Sequence, residues 1–172
     1  MAVPESETQN LFYKDYHMES LDKILREHPF LKGLEERYLD LITGCAANMV
    51  FKKNEFLFRT GDPANLFYFI RKGLVVIETY VPDKGPIAIQ SRGEGDVTGW
   101  SWLIPPYRCH FDTRAVELTR AIVLDGKCLR ENMEKDHELG YALFKRFAVI
   151  IAERLEATRI QLLDIYGKSP KK

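Results

Sequence analysis

The sequence predicts a mainly β protein of the α+β class, in which a roll of short antiparallel strands is flanked by helical segments. Residues 49 to 125 hold several short apolar and aromatic runs, separated at regular intervals by glycine, proline and asparagine. Many short strands at even spacing are typical of an antiparallel sandwich or jelly roll. Helical periodicity precedes this section and returns after it, including one long final helix.

The N-terminal part predicts a flexible tail over residues 1 to 15 and helices over residues 16 to 48. The tail is polar and aperiodic, which is typical of a frayed terminus. Apolar residues then recur at helical spacing from Leu21, and Pro29 is expected to end that first helix. A second helical face follows from Leu34 to Ile42.

The β section, residues 49 to 125, is divided by turns. Asp83 to Pro86 predicts a hairpin turn, and four glycines are expected at structural turns: Gly61, Gly73, Gly93 and Gly95. The predicted strands contain Val50 and Phe51, Phe56 to Phe58, Leu66 to Ile70, Leu74 to Val81, Ile87 to Gln90, Ala115 to Leu118 and Ala121 to Leu124.

The stretch from Gly93 to Ala115 stands out within this section. Three glycines fall in its first seven residues, and the alternation that follows a Pro-Pro pair predicts a strand with one buried face. The buried set is Cys109, Phe111, Thr113 and Ala115, and the polar set is Arg108, His110, Asp112 and Arg114. Glycines allow close approach of the backbone to a ligand, and a helix N-terminus offers N–H groups to an anion. A plain connection between two strands is the alternative. Asp112 and Arg114 are expected to form a surface pair.

The C-terminal part, residues 126 to 167, predicts two helices, the first capped by Asp125 and the second running from about Glu138 to Gly167. Apolar residues in the second step by four and three, which is typical of a two-helix seam and predicts a homodimer. The seam residues are Phe144, Ile151, Leu155 and Leu162, together with Ala148, Thr158 and Ile165. Residues 168 to 172 form a short tail.

Composition excludes several classes of function. The 25 basic and 25 acidic residues cancel, so that no electrostatic argument favours nucleic acid or a membrane surface as a partner. The chain has no long apolar segment and no secretory signal character, which predicts a cytoplasmic protein. Cys45, Cys109 and Cys128 are far apart and odd in number, which argues against a disulfide framework and a paired-cysteine metal site.

The stretch from Gly61 to Gly73 resembles the cyclic-nucleotide-binding domain family, the sensor domain of catabolite activator proteins and of cAMP-dependent kinase regulatory subunits. Phe30 to Leu34 resembles the family's entry link, and Phe51 to Glu55 the strand before the first glycine turn. Gly93 to Gly99 resembles the turn that opens the phosphate-binding cassette, and Ala115 to Asp125 the closing strands. The resemblance implies a β roll with the ligand inside it.

The resemblance covers about residues 28 to 166, and its departures fall at the ligand. A family glutamate that holds the ribose hydroxyl is replaced by Trp100. The family arginine that pairs with the cyclic phosphate falls on Cys109, and Arg108 is one residue away, which on a strand means the opposite face. Losing a charge-assisted pair costs on the order of 1.5–3 kcal/mol. The departures imply a ligand other than ordinary cAMP or cGMP, such as another small anionic molecule, or no ligand.

The candidate ligand-binding residues are Gly99, Trp100, Ser101, Trp102, Tyr107, Arg108, Cys109, Phe111 and Thr113. The two tryptophans either stack on a planar ligand or fill the roll, and Arg108 either binds an anion or is a solvated loop residue. Cys109 and His110 are conceivable haem or metal ligands, but a lone histidine beside a lone cysteine is usually structural, so no metal site is predicted.

Two functions are favoured by these features, and an enzyme or redox sensor that uses Cys109 or His110 is a third alternative. The first is a sensor module that binds a small ligand in the roll and signals to an unknown protein partner through its last helix. The second is a ligand-free dimerisation module whose pocket is filled by Trp100, Trp102 and Phe111. No nucleophile–base set, Walker loop or kinase signature is present, so an enzyme is not expected. The chain stops before a helix-turn-helix domain could follow, so DNA binding is not expected either.

Overall fold

In the computed structural model of the chain, the backbone is described for residues 18 to 167 and the side chains for residues 21 to 164. The predicted tails, residues 1 to 15 and 168 to 172, lie outside the described residues. The chain divides into two compact units, one ending at Asn132 and the other beginning at Met133. The first holds all the strands, and the second holds the long C-terminal helix.

The elements confirm the predicted fold class, with eight strands between two pairs of helices in the described chain. The helices are α1 (Met18–Glu27), α2 (Glu36–Gly44), α3 (Gly126–Lys135) and α4 (His137–Gly167), and a 3-10 helix spans Trp100–Leu103. The strands are β1 (Ala46–Phe51), β2 (Phe56–Phe58), β3 (Leu66–Lys72), β4 (Val75–Val81), β5 (Gly85–Arg92), β6 (Val97–Thr98), β7 (Asp112–Ala115) and β8 (Thr119–Asp125).

The strands form two four-stranded antiparallel sheets. One sheet has the order β1-β8-β3-β6, and the other has the order β2-β7-β4-β5. Apolar side chains from both sheets meet in a buried cluster that we call the roll interior. Its members are Phe51, Leu57, Tyr68, Ile70, Val75, Ala115, Ala121 and Val123.

Strand β3 separates the roll interior from a second packed surface, because successive side chains of a strand point to opposite faces. Tyr68 and Ile70 belong to the roll interior. Phe67 and Phe69 lie on the opposite side, which we call the outer face. There the Phe30 ring lies 5.5 Å from the Phe67 ring and 5.7 Å from the Phe69 ring, both edge to face. The aromatic run of β3 therefore serves two cores.

Several strand boundaries differ from the predicted ones, and the differences at β1 and β7 are informative. Strand β1 begins at Ala46, three residues before the predicted β section, because its backbone pairs with β8 along its whole length. The predicted strand from Ala115 to Leu118 is wrong beyond Ala115. Val116 donates its N–H to the Leu74 carbonyl at 3.0 Å, and the chain turns before Thr119 starts β8.

The expectation that the cysteines form no disulfide is wrong for one pair. Cys45 and Cys128 are joined by a disulfide with a Cα–Cα distance of 5.8 Å, although they are 83 residues apart in sequence. The reason is the pairing of β1 with β8, which places Ala46 opposite Leu124. The Asp125 N–H donates to the Cys45 carbonyl at 2.9 Å, so the end of α2 lies beside the start of α3. The spacing of the cysteines along the chain does not indicate that Cys45 and Cys128 are close in space.

Helix α4, taken by itself, carries both buried and exposed apolar residues. Leu139, Leu143 and Phe147, near its start, are buried. Five predicted seam residues are exposed, namely Phe144 at 57%, Leu155 at 50%, Leu162 at 48%, Ala148 and Thr158. Ile151 is half-buried, and the side chain of Ile165 lies outside the described ones. Other exposed apolar residues of the helix are Tyr141, Val149, Ile160 and Leu163. Among the described residues, no helix is sufficiently long and apolar to cross a membrane.

Candidate functional site

The glycine-rich turn between β5 and β6 is held in a tight conformation by its own polar groups. The Gly93 N–H donates to the Asp96 carboxylate at 2.9 Å, and the Asp96 N–H donates back to the Gly93 carbonyl at 3.0 Å. Gly95 has a φ of 83°, a conformation that favours glycine. The Gly95 N–H donates to the Ile70 carbonyl at 2.9 Å. The turn is therefore fixed to the end of β3.

Gly99 is required by close packing as well as by backbone conformation. Its φ is 82°, and a Cβ atom there would lie 2.8 Å from Cδ2 of Tyr68 and 3.0 Å from the Leu66 carbonyl oxygen. Any side chain would push the segment away from β3. Gly99 thus delivers the chain into the 3-10 helix Trp100–Leu103 directly against the strand.

The two tryptophans of the 3-10 helix have different environments. Trp102 is fully buried, and its ring lies 6.2 Å from that of Phe67, so it packs on the outer face. Trp102 therefore does not fill the roll interior, although the hypothesis of a ligand-free dimerisation module predicts that it does. Trp100 and Ser101 are half-buried. Of the three residues expected to fill the pocket, the third, Phe111, is exposed.

The segment after the 3-10 helix is joined to the first glycine turn by backbone hydrogen bonds. The Ala64 N–H donates to the Tyr107 carbonyl at 2.8 Å, and the Gly61 N–H donates to the Cys109 carbonyl at 2.8 Å. Arg108 is exposed and donates from Nη1 to the Gly61 carbonyl at 2.9 Å. The guanidinium group therefore lies at the surface beside this turn, not in the roll interior.

Cys109 and Thr113 are both buried, as the alternation predicts, but the prediction is wrong for Phe111, which is 45% exposed and precedes the start of β7. Cys109 and Thr113 are thus buried polar groups of this segment. Cys109 is a free thiol, and burial, followed by the nearby Asp62 carboxylate, raises its pKa to about 11. Thr113 is fully buried, and its Oγ1 has no hydrogen-bond partner among the described residues. By contrast, the Tyr68 hydroxyl donates to the Leu57 carbonyl at 3.0 Å. Thr113 therefore leaves a hydroxyl in the roll that a bound molecule could satisfy.

The predicted surface pair of Asp112 and Arg114 is wrong. Arg114 donates from Nε and Nη2 to the two carboxylate oxygens of Glu78 at 2.8 Å each, and Glu78 is buried. This bidentate pair raises the pKa of the Arg114 guanidinium. Asp112 instead accepts the Thr60 N–H at 2.7 Å. Glu78 lies on β4 and Arg114 on β7, so their ion pair depends on the pairing of these two strands.

Helix α3 contacts the 3-10 helix directly. A Cβ atom on Gly126 would lie 2.8 Å from Cβ of Trp102, so only glycine allows this approach. Arg130 donates from Nη1 to the Trp102 carbonyl at 2.7 Å, and its guanidinium lies 4.4 Å from the centre of the Tyr107 ring. The predicted cap is confirmed, since Asp125 accepts the Cys128 N–H at 2.8 Å. A movement of the 3-10 helix would therefore displace α3 or break these contacts.

Comparison with known proteins places this arrangement in a family. A model of the cyclic nucleotide-binding domain matches residues 48 to 136, just over half of the chain. The chain belongs to the cyclic nucleotide-binding domain family. A relative in Rhodopseudomonas palustris, named as a potassium channel protein, is 33% identical over 89 residues. That match covers 52% of this chain and 21% of the relative, so this chain spans about a fifth of its length.

Solved structures agree over a longer part of the chain. A cyclic nucleotide-binding protein of Geobacter metallireducens superimposes with a TM-score of 0.71 at 25% identity, covering 78% of this chain and 97% of that one. A cyclic nucleotide-binding domain of Methylobacillus flagellatus gives a TM-score of 0.72 at 18% identity, covering 92% of this chain and 87% of that one. These neighbours confirm the fold of a cyclic nucleotide-binding domain.

The structure gives the surroundings of the residues at which the sequence departs from the family resemblance. Trp100 is half-buried, Cys109 is a buried thiol, and Arg108 is exposed. Cys109 is buried whereas His110 is exposed, so these neighbours do not converge on one point. The described residues also contain no group of three or more histidines, cysteines or carboxylates that could hold a metal ion.

Three residues of this region were not predicted from the sequence. Arg130 and Gly126 lie on α3, far along the chain from the cassette, and their role depends on tertiary contact with Trp102. A glycine immediately after a strand-ending aspartate was a usable signal for close packing, but it resembles an ordinary helix start. Glu78 lies within a strand-like run, where nothing distinguishes it from a solvent-facing carboxylate.

Proposed function

We propose that residues 16 to 167 form one regulatory sensor module that binds a small ligand in the β roll and signals through its C-terminal helices. The observation that carries the proposal is the fully buried Thr113, whose hydroxyl has no partner within the described residues. A buried hydroxyl without a partner costs about 1–3 kcal/mol, and a ligand that accepts or donates a hydrogen bond there would recover it. Membership of a ligand-sensing family supports the same function.

The proposed ligand is a small molecule other than ordinary cAMP or cGMP. The sequence resemblance assigns the position of the family arginine to Cys109, whose raised pKa of about 11 keeps the thiol neutral at physiological pH. A cyclic phosphate bound deep in the roll would therefore face a neutral group. Arg108 lies at the surface and has no carboxylate partner in the described part of the chain. An anionic group of the ligand would fit best beside Arg108, with the uncharged part directed toward Thr113.

The proposed route of the signal runs through α3. Arg130 donates a hydrogen bond to the Trp102 carbonyl, and the Trp102 side chain packs directly against Gly126. A ligand that moves the 3-10 helix would have to move α3 or break these contacts. Coupling of this kind requires that the ligand binds one arrangement more tightly than the other.

A thermal-shift titration tests the ligand. Purified protein is heated with cAMP, cGMP, cyclic dinucleotides, nucleosides, nucleotides and anionic metabolites. A ligand at one hundred times its Kd is expected to stabilise the fold by about 2.7 kcal/mol. For a hit, Arg108→Ala should weaken binding, whereas Arg120→Ala, an exposed arginine on β8, should not. Tight binding of cAMP or cGMP would contradict the proposed ligand class, whatever the effect of Arg108→Ala.

The second candidate function, dimerisation through α4 without a ligand, is favoured by the exposed apolar residues of that helix. Phe144, Leu155 and Leu162 are each about half exposed or more, at a spacing typical of a two-helix seam. Analytical ultracentrifugation of the full chain tests this function. A dimer that becomes monomeric in Leu155→Glu, but not in the control Glu153→Gln, would support it, whereas a monomeric wild-type protein would end it.

A further inference from the structure

A groove on the outer face of the roll lies apart from the buried side that carries Thr113. Its volume is about 340 Å³. Helix α1 forms one wall, and the turn that contains Glu94 and Gly95 forms another. Leu25, Phe69 and Ile122 give it an apolar floor. A volume of this size matches a small organic molecule.

His28 is the polar residue built into this groove. It is 9% exposed, and its ring packs edge to face on Phe69 at 4.6 Å. Nδ1 accepts the Phe30 N–H at 3.2 Å, so the ring proton of the neutral form is on Nε2. Burial is the main cause that lowers the pKa of His28, while Asp96 and the Gly95 carbonyl act in the opposite direction. The Gly95 carbonyl is near enough to raise the pKa of His28, but Nε2 has no acceptor in hydrogen-bond geometry among the described residues, and it is therefore a buried donor that a ligand could satisfy.

The charges around the groove favour a cation. The exposed carboxylates of Glu27 and Glu94 both line it, and neither has a hydrogen-bond or ion-pair partner in the described chain. The only basic side chain that lines it, within the described residues, is Arg71, which donates from Nη1 to Asn48 Oδ1 at 3.0 Å. A negatively charged rim around an apolar floor repels anions and attracts amines.

We propose that this groove is a second binding site, which takes a small amine whose apolar body carries a hydroxyl or carbonyl group. The apolar body lies on Phe69, the acceptor group meets the Nε2–H of His28, and the ammonium group meets Glu27 or Glu94. The site does not depend on a ligand in the roll. The groove is nevertheless linked to the glycine-rich turn between β5 and β6. Gly95 belongs to that turn and donates its N–H to the Ile70 carbonyl.

Three probes of one size separate the parts of this proposal. Tyramine has the aromatic body, the hydroxyl and the ammonium group; phenethylamine lacks the hydroxyl; and 4-hydroxyphenylacetate has a carboxylate in place of the amine. Binding to the full chain is followed by NMR, through the imidazole signals of His28 and the amide signals of Phe69 and Gly95. Tyramine is expected to bind most tightly and to shift all three residues. Equal binding of 4-hydroxyphenylacetate, or no shift at His28, would overturn the proposal.

Variants of the rim provide the matched test. Glu27→Gln and Glu94→Gln are each expected to weaken tyramine binding about two- to fivefold, a range typical of exposed ion pairs. Glu117→Gln, an exposed glutamate that does not line the groove, serves as the control and should leave the Kd unchanged. His28→Gln keeps a donor and an acceptor and should preserve the preference for tyramine over phenethylamine. Unchanged binding in the double variant Glu27→Gln/Glu94→Gln would refute the site.

Discussion

The outer face and the roll interior use the same strand, β3, in opposite ways. The outer face is closed by large aromatic groups, with Trp102 against Phe67 and Phe30 against both phenylalanines of the strand. The roll interior also contains aromatic residues, but Thr113 leaves a polar atom there with no partner among the described residues. The comparison shows large aromatic packing on one side of the strand and an unsatisfied polar group on the other. Under the proposed function, the roll ligand binds on the side of that polar group, and packing on the outer face supports the strand from behind.

The largest expected effect is from removing the central side chain of the outer face. Trp102→Ala should lower the free energy of unfolding by about 3–5 kcal/mol, because a fully buried indole is replaced by a cavity. Urea denaturation followed by far-UV circular dichroism measures the loss. The matched control is Trp100→Ala, whose side chain is half-buried and should cost much less. Equal stability of the two variants would mean that the packing of Trp102 on the outer face does not hold the segment that follows Gly99 in place.

The disulfide is expected to have the next largest effect. Closing a loop of this length should stabilise the oxidised protein by about 2–4 kcal/mol. Cys45→Ala/Cys128→Ala should therefore be less stable than the oxidised wild type, and a thiol reductant should not change its stability further. In Cys109→Ala, which keeps the disulfide, the reductant should still lower the urea midpoint. Insensitivity of the wild type to reductant would contradict the pairing.

A smaller loss is expected at the second sheet, where the ion pair of Glu78 and Arg114 lies. Arg114→Ala leaves the buried Glu78 carboxylate without its bidentate partner, which should cost about 2 kcal/mol since Arg114 itself is partly exposed. Arg120→Ala, which removes an exposed arginine on β8, should stay within about 0.5 kcal/mol of the wild type. A double-mutant cycle with Glu78→Gln would assign the loss to the pair. Additive effects in that cycle would contradict a direct interaction.

The sequence was informative wherever the controlling interaction was local. Period-two alternation correctly predicted the burial of Cys109, Thr113 and Ala115, although not of Phe111, and the helix cap at Asp125 followed from residue type. It failed where distant segments meet. The side of the sheet that Trp102 covers, the partner of Arg114 and the bond between Cys45 and Cys128 all depend on which strands pair, and strand order is not written in local periodicity. The site is more affected than the fold, because it is assembled from such distant segments.

The smallest expected change in stability has the opposite sign and tests the roll interior most directly. Thr113→Val replaces a buried hydroxyl that has no partner in the described structure by a methyl group of similar size. We expect the free protein to be unchanged or more stable by up to about 1 kcal/mol, because the cost of an unsatisfied buried hydroxyl is removed. Binding of the roll ligand should nevertheless weaken about tenfold if it uses that hydroxyl. A stabilised variant with weakened binding would separate function from stability at one atom. A destabilised variant would mean instead that the hydroxyl already has a partner in solution, such as a buried water, and that it serves the fold.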